Sequence, residues 1–133
     1  MMQTFLPYND FLKTAQCLDN KRLGKQRVEA KQIIDTIEGI SSGWKNHPIV
    51  KMWWNYPEAL KLYFNIVSQE WINRGFKHTM GFYSVNEDIE LPYWFGDEKF
   101  HSSHRAALLY KKYDWYSKFG WKENPILDYV WVV

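Results

Sequence analysis

The chain has 133 residues, of which 46% are hydrophobic and 24% charged. That is the size and balance of one globular domain, residues 1–133, and it excludes a disordered chain or a fibrous repeat. Cys17 is the only cysteine, and the formal net charge is +2, so there is no disulfide framework, no thiolate metal cage and no overall charge that by itself selects a polyanion.

In chain order, Gln3 to Tyr8 reads as extended, because Pro7 steers Leu6 out of the helical region. Asn9 or Asp10 then caps a helix. From Phe11 to Ile37 there is no proline, and Leu23, Ala30, Ile34 and Ile37 recur at helical spacing, which predicts a long helix with a break near Gly24. Asn46-His47-Pro48 reads as a cap with proline in the first turn of a short helix through Trp53. Pro57 begins the clearest helix, with Leu60, Tyr63, Phe64, Val67 and Trp71 as one apolar stripe and Gly75 as its stop.

Residues Phe76 to Lys99 contain Gly81, Pro92 and Gly96 and no sustained period, so they read as a long loop. A last helix capped by Ser102 or Ser103 would turn Ala106, Leu109, Tyr110 and Tyr113 inward and end at Gly120. The tail from Pro125 to Val133 is extended and apolar enough to dock. The expected fold is therefore all-α: a compact single-domain bundle of about three main helices plus a short one, with a long loop and an extended tail. The start lacks the basic-then-apolar layout of a secretion signal, and no apolar run approaches the roughly 18 residues of a membrane span. A monomer in the cytoplasm is the expectation.

The charges are unevenly spread. Lys21, Arg22, Lys25, Arg27 and Lys31 stand against Glu29 alone, while Glu87, Asp88, Glu90, Asp97 and Glu98 cluster downstream. On a helical wheel of about 100° per residue, Arg22, Lys25, Gln26 and Glu29 fall on one arc beside the apolar stripe. One reading is a solvated face with a Lys25–Glu29 pair. The other is a phosphate-binding face in which Glu29 acts on the bound nucleic acid, its neighbouring cations favouring the ionised carboxylate. An ionised carboxylate suits cleavage of a base from a sugar, where positive charge builds on the ring.

Two further groups carry chemistry. His101, His104 and Arg105 lie together near the predicted helix start, where they can contact phosphate or base or serve the helix terminus. No metal motif accompanies them, and neither a metal nor any other cofactor is expected. Trp115, Tyr116 and Lys118 alternate rings with a charge in a chain that is 19% aromatic with 8 tryptophans. That pattern fits either base stacking or a packed core.

Leu18-Asp19-Asn20-Lys21-Arg22-Leu23-Gly24-Lys25-Gln26-Arg27-Val28-Glu29 resembles the first-helix segment of the pyrimidine-dimer DNA glycosylases of the phage endonuclease V type. Asn73-Arg74-Gly75-Phe76 is similar to that family's middle-helix exit, and Trp115-Tyr116-Ser117-Lys118-Phe119-Gly120 to its C-terminal aromatic segment. The chain is also similar to small bacterial proteins grouped under the same heading, in Met2 to Tyr8, Asn46-His47-Pro48, His101 to Arg105 and Tyr129-Val130-Trp131.

The resemblance implies a helical DNA glycosylase acting on double-stranded DNA with a dimerised or modified pyrimidine, with Glu29 catalytic and Lys21, Arg22, Gln26 and Arg27 holding the DNA. It also implies an amine nucleophile and AP-lyase chemistry. In the family that amine is the α-amino group exposed by loss of the first methionine. Here Met1 is followed by Met2 and Gln3, which leaves Lys25, one turn before Glu29, as the substitute amine. Two alternatives remain: a non-catalytic module for distorted or modified DNA, and a metal-independent ribonuclease using His101, His104 and Arg105.

Overall fold

A computed structural model describes residues 2–133. Six helices form the scaffold: α1 (Phe11–Cys17), α2 (Asn20–Ile37), α3 (Pro48–Trp53), α4 (Pro57–Asn73), α5 (Glu98–Lys111) and α6 (Tyr113–Tyr116), the last continuing into a 3₁₀ turn, Ser117–Phe119. The described residues contain no strand, and the fold is all-α as the sequence predicts. Among the described residues, no helix is long and apolar enough to cross a membrane.

The α2 and α4 helices pack along their lengths. Leu23, Ala30, Ile33 and Ile34 of α2 meet Leu60, Tyr63, Phe64 and Val67 of α4, all buried in one core with Leu6, Leu18, Trp53 and Phe100. Close approach of the two axes requires Gly24. A methyl there would stand 2.9 Å from two atoms of the Trp71 ring. That ring cannot swing away freely, since its Nε1–H donates to the Lys77 carbonyl at 2.9 Å. Phe76 stacks on one side of it at 4.2 Å, and the Arg27 guanidinium lies 4.6 Å from its centre.

The expected break at Gly24 is therefore overturned. Gly24 sits inside an unbroken α2 as a packing residue, and the break falls at Leu18–Asp19. Side chains from afar hold that junction. Arg74, at the end of α4, donates to the carbonyls of Leu18, Ala15 and Gln16 at 2.7, 3.1 and 3.2 Å. The Trp115 indole donates to the Cys17 carbonyl at 2.8 Å, and the Tyr116 hydroxyl donates to Asp19 and accepts from its amide.

Helix α3 starts as predicted, with the His47 ring accepting from the Ile49 amide at 3.0 Å and Pro48 in the first turn. The last long helix begins earlier than the serines suggest. Asp97 caps it, accepting from the Lys99 and Phe100 amides, so Ser102 and Ser103 lie within the helix. Ala106 and Leu109 are buried as expected, but Tyr110, still within α5, and Tyr113, past the turn at Lys112, face solvent. The tail is extended and docks through Tyr129, Trp131 and Val132.

The least expected feature is the N-terminal segment. Residues Met2 to Pro7 are extended yet buried, with no neighbouring strand to take their backbone groups. Side chains take them instead. Glu29 accepts from the Gln3 amide at 2.8 Å, and Gln26 accepts from the Phe5 amide at 2.9 Å while donating to the Gln3 carbonyl at 2.8 Å. Tyr63 donates to the Phe5 carbonyl at 3.0 Å. His104 Nδ1 accepts from the Leu6 amide at 2.9 Å, His101 Nδ1–H donates to the Leu6 carbonyl at 2.7 Å, and Arg105 donates to the Pro7 carbonyl at 2.8 Å.

Two measurable consequences follow. Gly24→Ala should destabilise the fold by about 1–3 kcal/mol in urea melts, because overpacking against the pinned Trp71 outweighs the roughly 1 kcal/mol that alanine gains in helix propensity. The second concerns pH. Burial pushes His104 down to about 3 from 6.5, so between those values the unfolded chain binds a proton that the native state does not. Stability should fall as pH drops below about 6.5, with a slope of about 1.4 kcal/mol per pH unit for this one proton. In His104→Asn that component of the slope should vanish in pH-dependent urea melts.

Candidate active site

The α2 residues at positions 21, 22, 25 and 29 recur every three to four residues and so share a face. In the structure they form one wall of a cleft of about 600 Å³, a volume in the usual range for small-ligand sites. Lys111, the last residue of α5, closes it from the side. Phe5 of the buried N-terminal segment and Tyr129 and Trp131 of the tail supply an aromatic wall, and Leu127 and Asp128 complete the rim. The site sets the Glu29 carboxyl under the influence of Lys25 and Lys111, with Lys21 and Arg22 also lining the cleft and aromatic rings in its lining.

Glu29 is half-buried in this cleft. Its Oε2 is held by the Gln3 amide, and Oε1 makes no hydrogen bond among the described residues. Its carboxyl is shifted upward, because burial outweighs the Gln3 hydrogen bond and the attraction of Lys25 and Lys111. The sequence leads to the opposite expectation, that cations would favour ionisation. The cations do act in that direction, but desolvation is the larger effect. A carboxyl raised in this way moves toward the range where it exchanges protons at working pH.

The Lys111 ammonium is shifted downward by burial and by the repulsion of Arg22 and Lys25, with Glu29 opposing. The Tyr129 hydroxyl is pushed up to about 12, chiefly by burial. Arg22 is braced by Asp19 at 3.3 Å, which is in turn held by Tyr116. The cation that faces the cleft is thus fixed through the α1–α2 junction.

The residues singled out from the sequence divide into groups. Lys21, Arg22, Lys25 and Glu29 come together in the cleft. Gln26 lies beneath them, buried and engaged with Gln3 and Phe5, so it offers DNA no surface. Arg27 turns away to Trp71 and to His78, whose Nδ1 is 2.8 Å from the guanidinium.

His101 and His104 are buried one turn apart and clamp the two sides of the Leu6 peptide. His101 carries its proton on Nδ1 and accepts from the Gly96 amide at Nε2, whereas His104 accepts at Nδ1. Arg105 is engaged by Glu98, Glu123 and the Pro7 carbonyl. Direct contact to nucleic acid is closed to these histidines, and the ribonuclease reading loses its acid and base. Trp115 and Tyr116 close the α1–α2 junction, and Lys118 lies 3.5 Å from the centre of the Trp115 ring. None of the three lines the cleft, and Tyr116 alone is linked to it, through Asp19 and Arg22.

Sequence reasoning missed Phe5, Lys111, Tyr129 and Trp131. One signal was present: Tyr129 and Trp131 are two apart, which in an extended tail sets both rings on one side. Among the described residues no group of three or more His, Cys, Asp or Glu could hold a metal ion. The amino group at Met1 lies outside the described residues.

The electrostatics yield a titration prediction. Because Lys111 lowers the Glu29 carboxyl pKa, Lys111→Gln should move it further up. A ¹³C titration of the Glu29 carboxyl in both proteins measures this, and an unchanged or lower midpoint would show that the two groups do not interact.

A family model described as pyrimidine dimer DNA glycosylase matches residues 2–84, a span that carries Phe5, Lys21, Arg22, Lys25 and Glu29 but stops before Lys111, Tyr129 and Trp131. No curated protein and no solved structure matches the chain. With well over half its length matched and its one cleft-lining glutamate inside that match, the chain belongs to the pyrimidine dimer DNA glycosylase family.

Proposed function

We propose that the cleft receives a damaged or modified pyrimidine nucleotide turned out of double-stranded DNA, and that Glu29 drives release of its base. The observation that carries this reading is a half-buried carboxylate, fixed by a backbone amide and acted on by Lys25 and Lys111, in a cleft also lined by Lys21 and Arg22. Chemistry on a base within a duplex requires extrusion into a pocket, where stacking replaces the lost neighbours. Phe5, Tyr129 and Trp131 offer that stacking, and Lys21, Arg22 and Lys25 offer contacts for the flanking phosphates.

As the glycosidic bond lengthens, positive charge develops at the sugar, and a carboxylate held beside it in a partly dry cleft lowers the barrier. The protein acts as a monomer in the cytoplasm. The strand-cutting step is a further part of the proposal. After base loss the sugar opens to an aldehyde at C1′; an amine adds to it, water leaves, and an imine links protein and DNA. Lys25 supplies the amine one helical turn from Glu29, and Lys111 is a second cleft amine whose downward shift increases its neutral fraction.

The test is incubation with ultraviolet-irradiated duplex, with and without borohydride. Wild-type protein should release the base and leave a reduced covalent adduct, and peptide mapping should locate the adduct on Lys25, on Lys111 or on an α-amine. Glu29→Gln, which keeps an oxygen for the Gln3 amide, should retain DNA affinity and lose base release by about 100- to 1000-fold. Tight DNA binding without release from any lesion in the wild type would instead identify a non-catalytic module.

A further inference from the structure

Trp44 has a φ of 65°, and among the described residues it is the one non-glycine in the left-handed region. A bulky side chain is disfavoured there. The sequence holds easier candidates close by, with Gly43 one residue before and Asn46 two after. Nor is the strain offset by burial of the ring, since Trp44 is 52% exposed. The backbone is closed by the His47 amide donating to the Trp44 carbonyl at 2.8 Å. Strain kept at an exposed aromatic residue points to a use for the ring outside the core.

Its location indicates the use. The Trp44 ring packs edge-on to His47, with centroids 5.6 Å apart, and His47 packs edge-on to Trp131, 5.8 Å away. Trp131 and its neighbour Tyr129 line the cleft. A continuous aromatic strip therefore runs from the cleft to the surface and ends at Trp44. His47 is fixed in the strip by its capping bond to the Ile49 amide. The surrounding segment, residues 39–57, carries Lys45 and Lys51 and is flanked by Glu38 and Glu58, both of which pair with Lys61.

Two ring contacts of under 6 Å reach at most about three base-pair rises of ~3.4 Å. We infer that Trp44 is a stacking platform for a nucleotide two or three steps from the one held in the cleft, and that it gives this protein a preference for substrates whose flanking bases are unpaired. A base still sandwiched in a duplex presents no free face to a ring; an unpaired one does. The inference rests on the reading that the cleft takes a nucleotide of bound DNA.

The experiment uses lesion-bearing duplexes in which the two or three flanking positions are either paired or mismatched, with 2-aminopurine placed at each flanking position in turn. Wild-type protein should bind the mismatched-flank substrate about tenfold more tightly and quench 2-aminopurine at one flanking position. Trp44→Gly and Trp44→Asn, both at ease in the left-handed region, should melt at or above the wild-type temperature while losing the quench and bringing the preference to about one. Trp44→Tyr should restore both in part.

Equal affinity for paired and mismatched flanks in the wild type would overturn the inference, as would an unchanged quench and preference in Trp44→Gly and Trp44→Asn. If those hold while base release still depends on Glu29, only the role of Trp44 fails. If the wild type binds no DNA at all, the reading of the cleft fails and the inference with it.

Discussion

A buried stretch of extended backbone must have its amides and carbonyls satisfied, and an all-α protein has no sheet in which to do it. Each such group left unpaired costs on the order of 1–3 kcal/mol. Between Gln3 and Pro7 this protein meets most of the requirement with side chains from three helices, Gln26 and Glu29 of α2, Tyr63 of α4, and His101, His104 and Arg105 of α5, while the Thr4 amide donates to the Gln3 side chain. The arrangement determines where those helices stand relative to one another. It also determines where Glu29 stands, because the bond that satisfies the Gln3 amide fixes the carboxylate at the cleft.

The same constraint accounts for the electrostatics. Packing the segment over α2 excludes water from one side of Glu29, which raises its carboxyl against the pull of Lys25 and Lys111. Phe5, carried in by the segment, becomes part of the cleft wall and packs edge-on to Tyr129 at 6.2 Å. One buried strand of chain thus supplies a positioning bond, a desolvating cover and a ring. His104 contributes from beneath as an acceptor that burial keeps neutral near neutral pH.

The helices with strong apolar periods, α4 above all, were legible in the sequence, as were the short proline-led α3 and the long loop after Gly75. So was much of the half of the cleft that lies on one helix, since Arg22, Lys25 and Glu29 follow from a single wheel, which also put the buried Gln26 on that face. The α1–α2 break was not, because its cause lies at Arg74, Trp115 and Tyr116, more than fifty residues away in the chain. Nor was the fate of Gln26, His101 and His104. Polar residues suited to grip a phosphate are equally suited to grip a peptide bond, and only tertiary packing decides between them. Lys111, Tyr129 and Trp131 escaped because no local pattern ties the end of one helix and a tail to a face on another.

Native-state amide hydrogen exchange tests the central claim most directly, through the amides of Gln3, Phe5 and Leu6. If side chains hold this segment as part of the core, these three amides should exchange only through global unfolding, with the same free energy as the slowest amides of α2 and α4. Exchange at the rates of exposed loops while α2 and α4 stay protected would contradict the account. It would mean that Glu29 is held at the cleft by something other than the buried N-terminal segment.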